Sequence, residues 1–387
     1  MSADLSRAAA LTRDLVRCAS VTPEEGGALA LIEAVLKPYG FDVQRPVFSE
    51  AGTADVENLH ARLGTEGPVL VFAGHTDVVP TGDVSAWSRA PFEGAIEDGV
   101  LWGRGACDMK AGVAAAIAAV LDHLDAGAKI PGSVVFLITG DEEGPAVNGT
   151  VKLLEWATAR GERFDGCILG EPTNPHAMGD MMKIGRRGSL SFDIEVEGVA
   201  GHVAYQHLAK NPIDGLMRLM AALKATALDH GTPHFLPSNL EFTTIEVGNK
   251  ARNVIPGAAR VEGNIRFNDL WTSVSLGEEL KRRLAGVNDA PNYRLVLHPS
   301  NAEAFLTPPG PFVELVSEAV QSVTGRKPEL STTGGTSDAR FIRNYCPVIE
   351  FGVVGQTMHK VDERVAISDI DTLTAIYRRA IERFFRL

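Results

Sequence analysis

The stretch SVVFLITGDEEG, residues 133–144, joins an apolar run to three consecutive acidic residues and a glycine. Its first seven residues are rich in β-branched side chains and predict a buried strand, so that Asp141, Glu142 and Glu143 stand at the end of that strand. Three like charges in such a place repel one another and lose contact with water, which is unfavourable. A cation bound at the strand end would relieve this cost.

Short apolar runs alternate with helical patterns in this part of the chain. The runs predict strands at 69–74, 133–139 and 167–170, and helical patterns cover 28–37 and 110–126. Such alternation is typical of an α/β domain built on a largely parallel sheet. We therefore expect a mixed, largely parallel sheet as the centre of the main domain.

The pattern changes near Gly188. From Ser189 to Glu197 apolar and polar residues alternate, which predicts a half-exposed strand. The elements expected after it are a helix begun by Asn211-Pro212 and running to about 228, strands at 240–247 and 259–267, a helix near 275–284 and a strand at 293–298. The order βαββαβ indicates a ferredoxin-like α+β unit.

The α/β character returns after residue 299, with a strand at 347–352 and a last helix over about 369–385. Ser368-x-x-Asp371 at the start of this helix has the form of a capping box. The simplest organisation is one main domain in two segments, 1–181 and 299–387, interrupted by an inserted domain at 182–298.

Composition limits the class of partner. The chain has 387 residues, of which 45% are hydrophobic, and this is enough for two domains with cores of their own. The net charge of −12, without clusters of Lys and Arg, excludes nucleic acid and anionic membrane surfaces as expected partners. A small-molecule substrate is the expectation.

Four cysteines are scattered at Cys18, Cys107, Cys167 and Cys346. Their spacing fits neither a zinc knuckle nor a disulfide scaffold, so we expect reduced thiols. The N-terminal MSADLSRAAALTRDLVR carries charges where a signal peptide needs an apolar core, and no apolar run of the sequence is long enough to span a membrane. We expect a cytoplasmic protein.

Histidines and carboxylates stand at or just after the predicted strand ends, where open α/β sheets place their sites. The candidates are His75 and Asp77 in GHTDVVP, Asp108 in GRGACDMKAG, Glu142 and Glu143 in TGDEEG, Glu171 in LGEPT and His359 in GQTMHKVDE. Each alone has an ordinary explanation, such as a helix cap for Asp108 or a solvated turn for the two glutamates. Together they match a pair of divalent ions bridged by one carboxylate.

Charge and spacing divide the roles within this set. Asp108, Glu143 and Glu171 with one hydroxide would neutralise two divalent ions, which leaves Glu142 to take a proton from water as a general base. His75 and Asp77 are two residues apart in an extended segment and point the same way. Asp77 is therefore expected to accept a hydrogen bond from one imidazole nitrogen while the other nitrogen binds a metal.

The motifs GHTDVVP, LWGRGACDMKAG, TGDEEG, LGEPT and MHK resemble, in order and spacing, the two-zinc amidohydrolases of the M20 peptidase group. The resemblance implies a zinc-peptidase-like catalytic domain with two Zn²⁺, for which Co²⁺ can substitute. It implies that Asp108 bridges the ions, that His75 and Glu171 complete one site, and that Glu143 and His359 complete the other. It further implies that Glu142 is the base, that Asp77 supports His75 and that the Asp108–Met109 peptide is cis.

Motifs of the insert, KIGRRGSL, GHVAYQHLAKNPI, ARNVIPG and NIRF, together with GGTSDARF, resemble the members of this group that hydrolyse N-succinyl-LL-2,6-diaminopimelate to succinate and LL-2,6-diaminopimelate, a step in lysine biosynthesis. The resemblance implies a homodimer formed through the insert, in which His202 of one subunit polarises the scissile carbonyl at the other. The substrate-binding residues that it implies are Arg186, Ser189, Asn253, Arg266, Gly335 and Thr336.

The sequence leaves alternatives open for one arginine, for the substrate and for the class of protein. Arg187 either binds substrate or forms a salt bridge inside the insert. The same machinery would also serve another N-acyl amino acid, such as acetylornithine, or a dipeptide, as in a dipeptidase or carboxypeptidase. A catalytically inactive binding or scaffold protein is the rival from a different class, and it gives no use to a spare Glu142.

Overall fold

The computed structural model describes residues 5–298 and 301–387. Within these residues the chain divides into two compact units. The larger unit contains the chain up to Ile184 together with Thr307–Ser331 and Ser337–Leu387. The smaller unit contains Gly185–Leu306, apart from residues 299 and 300, and Thr332–Thr336. The smaller unit therefore begins at Gly185, three residues after the predicted start of the insert at 182, and it also includes residues 301–306 and Thr332–Thr336. The predicted boundary at residue 299 falls outside the described residues.

Helices and strands are numbered in chain order over the described residues. The α-helices are α1 (Arg7–Val16), α2 (Ala28–Leu36), α3 (Ala111–Asp125), α4 (Thr150–Thr158), α5 (Pro212–Lys224), α6 (Ser273–Ala285), α7 (Pro311–Thr324), α8 (Ala339–Ile342) and α9 (Ile367–Phe384). Short 3₁₀ turns cover Lys37–Tyr39, Val84–Ala86 and Val203–Leu208, and a wider turn covers Ala106–Lys110.

The strands are β1 (Asp42–Gln44), β2 (Val47–Phe48), β3 (Val56–Glu57), β4 (Leu59–Leu63), β5 (Val69–His75), β6 (Ala95–Glu97), β7 (Val100–Trp102), β8 (Ser133–Thr139), β9 (Gly166–Leu169), β10 (Met181–Lys183), β11 (Gly185–Arg186), β12 (Gly188–Glu197), β13 (Gly201–His202), β14 (Asn239–Glu246), β15 (Val254–Ile255), β16 (Ala258–Phe267), β17 (Tyr293–His298), β18 (Phe305–Leu306), β19 (Glu329–Ser331), β20 (Val348–Glu350) and β21 (Arg364–Ala366).

A mixed sheet forms the centre of the larger unit, in the order β1-β4-β8-β5-β9-β20-β10-β19. The neighbouring strands β8, β5, β9 and β20 run parallel, and β10 is parallel to β19. Strand β4 is antiparallel to both of its neighbours, β1 and β8, and β10 is antiparallel to β20. The predicted mixed, largely parallel sheet is confirmed. The parallel run brings the carboxyl ends of three predicted strands to one edge of the sheet.

Every residue of β5 and β8 is buried, which explains why both read as unbroken apolar runs rather than alternating ones. Helix α3 packs against α1 and α9, and its many alanines are buried. Gly112 near its start needs the absence of a side chain, because a Cβ atom there would lie 2.2 Å from the carbonyl oxygen of Gly170. This close approach brings the turn before α3 beside the end of β9.

The predicted capping box of the last helix is wrong. Helix α9 begins at Ile367 after Ala366, which makes no side-chain capping bond, so Ser368 lies within the first turn. Asp371 instead accepts a hydrogen bond from the hydroxyl of Ser6. In a capping box the side chain of Asp371 would bond to the main chain at the start of the helix. The alternative explanation of Asp108, a cap on α3, does not hold, since the residue before that helix is Lys110.

The smaller unit carries an antiparallel sheet in the order β14-β16-β12-β17, with α5 and α6 following β12 and β16 along the chain. This order and connectivity confirm the predicted ferredoxin-like arrangement. Both helices pack on one face of the sheet, where Phe192, Leu219, Val261 and Leu280 belong to one buried cluster. Asn211 caps α5 as predicted, accepting a hydrogen bond from the amide of Ile213 at 3.2 Å.

In the part of the chain that the structure describes, no helix combines the length and apolar character needed to cross a membrane.

Candidate metal centre

The candidate ligands stand where neighbouring parallel strands end. His75 is the last residue of β5, and it pairs with Thr139, the last residue of β8. Glu142 and Glu143 follow β8 after a two-residue turn, and Glu171 follows β9, the strand on the other side of β5. The sequence expectation that these carboxylates share one sheet edge with His75 therefore agrees with the register of the strands.

His75, Asp108 and Glu171 form a first, buried donor group. Nε2 of His75 lies 3.3 Å from Oδ1 of Asp108 and 3.8 Å from Oε1 of Glu171. One potential ligand atom from each side chain lies within 4.8 Å of the others. One cation could therefore contact all three.

Asp108, Glu143 and His359 form a second donor group. Nε2 of His359 lies 3.2 Å from Oδ2 of Asp108 and 2.8 Å from Oε1 of Glu143. Asp108 thus presents Oδ1 to one group and Oδ2 to the other. A carboxylate with its two oxygens divided in this way is the arrangement of a ligand shared by two cations.

The donor atoms of the first group fit a cation by a further test. Nε2 of His75, Oδ1 of Asp108 and Oε1 of Glu171 are buried, and within the described residues none of them has a hydrogen-bond partner. Buried polar atoms without partners are unfavourable and rare in native proteins. Three of them converge here, and imidazole nitrogen with carboxylate oxygen is a donor set typical of zinc and related divalent ions.

The orientation of His75 supports the same assignment. Its Nδ1 lies 2.9 Å from the backbone carbonyl oxygen of Asp77. Because a carbonyl oxygen only accepts hydrogen bonds, Nδ1 carries a proton, so the neutral form of the ring has its lone pair on Nε2. That nitrogen faces Asp108 and Glu171.

The carboxylate of Asp77 has a different role from the one expected for it. It lies 3.6 Å from Nδ1 of His75, too far for the expected hydrogen bond. Its two oxygens accept hydrogen bonds from the backbone amides of Glu142 at 3.3 Å and Glu143 at 3.0 Å. The main-chain oxygen of Asp77 orients the histidine, and its side chain holds the turn that carries the two glutamates.

Glu142 lies beside these two donor groups, and with His75 and Glu143 it forms a third group of possible ligands. Its Oε2 is 4.0 Å from Nε2 of His75, and among the described residues no donor forms a hydrogen bond with its side chain. Burial raises its pKa above the usual value. The neighbouring carboxylates of Asp338 and Glu143 raise that pKa further, although the charge of His75 opposes them.

The pKa shifts of the other residues show that the carboxylates of the centre carry more negative charge than the positive groups of the protein neutralise. Burial, together with the charges of Asp108 and Glu142, raises the pKa of Glu171 well above its usual value. Burial lowers the pKa of His75, but the surrounding carboxylates outweigh it and raise that pKa well above 6.5. Hydrogen bonds to Asp108 and Glu143 raise the pKa of His359 to about 10. A bound cation would supply the missing positive charge.

The predicted site residues of the smaller unit lie in two places. His202 is exposed and pairs across a short ladder with Val254, next to Asn253. Its Nδ1 accepts a hydrogen bond from the amide of Ala204 at 3.1 Å, so the ring caps the turn that follows it. Nε2 of the ring is not used by that contact.

The second place is the start of β12 and the strands beside it. Ser189 is directly opposite Arg266, and its hydroxyl accepts a hydrogen bond from Asn264 at 3.0 Å. Arg186 is buried and donates to the carbonyl oxygen of Thr333 at 3.3 Å. The segment containing Gly335 and Thr336 belongs to this unit, and the hydroxyl of Thr336 has no hydrogen-bond partner within the described residues.

Arg187 forms no salt bridge within the described residues of the chain. It donates to the side-chain oxygen of Asn239 at 2.9 Å. Burial and the charge of Arg266 together lower the pKa of Arg187. The guanidinium groups of Arg187 and Arg266 are close enough to repel each other, and neither has an acidic partner in the described residues. They form a local excess of positive charge that suits a carboxylate.

Several residues that support the centre were missed by the sequence analysis. Asp141 is not a metal ligand candidate, because Oδ2 of its carboxylate accepts hydrogen bonds from the amides of Val147 and Asn148, both at 2.8 Å. Glu363 accepts hydrogen bonds from the amides next to the shared carboxylate. Sequence patterns carry no signal for a carboxylate that binds distant main-chain amides. The expected cis peptide between Asp108 and Met109 is present.

The comparisons with known proteins agree with this geometry. Residues 71–383 match the family model described as peptidase family M20/M25/M40. A protein of Methylorubrum populi named succinyl-diaminopimelate desuccinylase is 63% identical over 378 residues, which cover 97% of this chain and 98% of the relative.

Solved structures share the fold at low sequence identity. A tripeptidase of Staphylococcus aureus aligns with a TM-score of 0.79 and 18% identity over 98% of both chains. The YXEP protein of Bacillus subtilis, a dinuclear metal-binding peptidase of the M20 family, aligns with a TM-score of 0.71 and 17% identity over 98% of both chains. The family match spans most of the chain and the curated relative is similar over nearly its whole length, so this chain belongs to peptidase family M20/M25/M40.

Proposed function

We propose that the chain is a two-metal amidohydrolase that converts N-succinyl-LL-2,6-diaminopimelate to succinate and LL-2,6-diaminopimelate. The observation that carries the proposal is the division of the Asp108 carboxylate between two donor groups, with the uncommitted Glu142 beside them. The named relative at 63% identity supports the substrate. An inactive scaffold would have no use for a buried carboxylate kept free of hydrogen bonds.

His75, Asp108 and Glu171 would hold one divalent ion, and Asp108, Glu143 and His359 the other. We propose zinc for both, with cobalt as a substitute, because the donors are imidazole nitrogens and carboxylate oxygens. Such ions polarise the amide carbonyl and lower the pKa of water. With Nδ1 bonded to the carbonyl oxygen of Asp77, the ring of His75 in its neutral form would offer the lone pair of Nε2 to an ion.

The chain's own residues would then move the protons. Glu142 takes a proton from the attacking water and passes it to the amine that leaves, which needs a carboxylate whose pKa lies above the ordinary value. Asp77 keeps Glu142 in place through its backbone amide. The turn cannot rotate Glu142 away without breaking this bond and the one from Glu143 to the same carboxylate.

The arginines of the smaller unit suit the carboxylates of the substrate. We propose that Arg186 and Arg266, with Ser189, Asn253, Gly335 and Thr336, bind these groups. We propose the same role for Arg187, because its positive charge lies near that of Arg266 and no acidic side chain in the described part of the chain pairs with it. An acetyl group lacks the terminal carboxylate of the succinyl group, so an acetyl substrate would forgo the charge-assisted hydrogen bonds that this carboxylate offers to arginine.

His202 would donate to the developing oxyanion from the partner subunit of a homodimer formed by the smaller unit. Its exposure and its unused Nε2 support this assignment. We also infer a cytoplasmic enzyme, since the four cysteines are free thiols.

A steady-state assay tests the proposal. Purified protein is assayed with N-succinyl-LL-2,6-diaminopimelate and N-acetylornithine, before and after exhaustive chelation and again after adding Zn²⁺. We expect a kcat/KM at least about 100-fold higher for the succinyl substrate, loss of turnover on chelation and recovery with Zn²⁺. Full activity after complete metal removal would contradict the mechanism, and preference for the acetyl or a dipeptide substrate would contradict the substrate.

A further inference from the structure

Two charged side chains, Arg104 and Glu363, are buried near the metal centre and have no part in the proposed chemistry. They are 3% and 0% exposed, and Nη1 of Arg104 lies 2.8 Å from Oε2 of Glu363. Charged residues are almost never fully buried unless they are paired. Burying such a pair gives little net stability, because both charges lose their hydration. Its position suggests another use.

Glu363 binds the main chain that carries the shared carboxylate. Its Oε1 accepts hydrogen bonds from the amides of Cys107 and Asp108, both at 3.1 Å. The other oxygen is occupied by Arg104, so both oxygens of the carboxylate have fixed partners. The position of the Asp108 main chain is thereby tied to the position of Glu363.

The same pair holds the loop that carries His359. Nη1 of Arg104 also donates to the carbonyl oxygen of Lys360 at 3.2 Å, and the amide of Gly103 donates to the carbonyl oxygen of Glu363 at 2.9 Å. Strand β21 after the loop pairs with β7 before the Asp108 turn. The segment before Asp108 and the loop that carries His359, together with the strand β21 after it, therefore each donate hydrogen bonds to the other and accept them from it.

The His359 loop needs such support. His359 has φ 60° and Asp362 has φ 59°, a left-handed region that is uncommon for residues other than glycine, although Asp and His adopt it more readily than most, and that costs free energy which the surroundings must supply. The guanidinium of Arg104 is itself fixed, since it stacks 5.1 Å from the ring centroid of Trp87. A rigid buried pair thus lies against a strained loop that presents a ligand.

We propose that Glu363, held by Arg104, is a positioning residue that sets Asp108 and His359 at their mutual distance and so determines the affinity of the cation bound by Asp108, Glu143 and His359. The inference rests on the proposed function, because it requires two cations. It assigns the pair mainly to one half of the centre, since its shorter bonds to ligand-bearing segments are those to Asp108 and to the His359 loop. The bond to the segment after His75, from Nη2 of Arg104 to the carbonyl oxygen of Pro80, is longer at 3.4 Å and lies five residues beyond that histidine.

The test is titration of the metal-free protein with Co²⁺, followed by visible absorption and by metal content per chain. Two double variants replace both charges, so that neither leaves a buried charge unpaired. R104M/E363Q keeps a side-chain oxygen that can accept from the amides of Cys107 and Asp108, and R104M/E363L removes it. The two proteins differ at one position, where the glutamine amide supplies that acceptor and the leucine does not.

In R104M/E363L we expect one of the two Co²⁺ ions to bind about 10–100-fold more weakly, while the other keeps its affinity. The spectrum with one equivalent of Co²⁺ should match that of His359→Ala rather than that of Glu171→Gln. R104M/E363Q should keep most of the affinity for the second ion. Turnover of R104M/E363L should recover when Zn²⁺ is raised, which a merely loosened fold would not allow.

Arg104→Lys serves as a second test if a double variant does not fold, because it keeps the charge but loses the guanidinium fork. It should weaken the same ion by a smaller factor. Glu279→Gln is the matched control, since it breaks the pair with the buried Arg283 in the smaller unit and should change neither Co²⁺ affinity.

The proposal would be overturned if R104M/E363L bound both ions with unchanged affinity. If that variant does not fold, unchanged binding of both ions by Arg104→Lys would overturn it. Equal weakening of both ions, or equal loss in the two double variants, would also overturn it. Failure of the wild-type protein to bind two Co²⁺ ions would instead contradict the proposed function, so the two failures are distinguishable.

Discussion

Oδ2 of Asp108 lies 3.2 Å from Nε2 of His359, although the two residues belong to the first and the last sequence segments of the larger unit. The other oxygen of the same carboxylate faces His75. One side chain therefore joins two donor groups, and Glu142 is the carboxylate beside them that this assignment leaves without a metal ion.

Replacing Glu142 by Gln keeps the size of the side chain and removes its ability to take a proton. We expect both metal ions to remain bound and kcat to fall by about 100- to 10,000-fold, the usual contribution of a general base. Metal content and steady-state kinetics check this. Glu143→Gln is the control and should lose one ion. Substantial turnover in Glu142→Gln would assign the base to another residue.

Stability of the metal-free protein should depend on pH in a specific direction. The folded-state pKa values of Glu142 and Glu171 are raised by burial and by neighbouring carboxylates, and those of His75 and His359 are raised by their carboxylate partners. Between about pH 5 and pH 8 the folded chain therefore binds more protons than the unfolded chain, so its free energy of unfolding falls as pH rises.

The expected slope is about 1.4 kcal/mol per pH unit for each additional proton that the folded state binds. Denaturant unfolding of metal-free protein across this range measures it, with zinc-loaded protein as the reference, whose slope should be smaller. Metal-free Glu142→Gln should also give a shallower slope than the metal-free wild type. A free energy of unfolding that rises with pH in the metal-free protein would contradict the assignment.

Arg266 should act on substrate binding rather than on the chemical step. Arg266→Lys keeps the charge but loses the planar fork, so we expect KM for the succinyl substrate to rise about 10-fold with a smaller change in kcat. Arg294→Lys is the control, because Arg294 lies in the same sheet and pairs with Glu195. An unchanged KM in Arg266→Lys would remove Arg266 from the binding site.

His202→Ala should lower kcat by about 100-fold or more if the imidazole donates to an oxyanion. Mixing separately inactive His202→Ala and Glu142→Gln proteins tests whether the donor comes from the partner subunit. After random subunit exchange about a quarter of the sites would be intact, so activity should reappear. No recovery in a mixture shown to exchange subunits would contradict the contribution in trans.

The sequence predicts the main fold well where burial governs the pattern. The unbroken apolar runs of β5 and β8 are buried throughout, and the alternating pattern of β12 predicts a strand with one apolar face, as found. It also predicts which histidines and carboxylates meet at the sheet edge, because parallel neighbours bring their carboxyl ends together.

Sequence reasoning is weaker where a side chain binds main-chain atoms far along the chain. Asp77 was expected to hold His75 with its carboxylate, but its carboxylate holds two amides and its carbonyl oxygen holds the ring. Ser368 and Asp371 have the form of a capping box, yet Asp371 pairs with Ser6, over three hundred and sixty positions away. Such partners are set by tertiary packing and leave no local signal.

The central claim is that Asp108 is shared by two cations, and a crystal structure of zinc-loaded protein with anomalous data collected at the zinc absorption edge tests it most directly. We predict two anomalous peaks per chain, one contacting His75, Asp108 and Glu171 and the other contacting Asp108, Glu143 and His359. A single peak in a fully loaded crystal, or peaks that do not contact Asp108, would contradict the account.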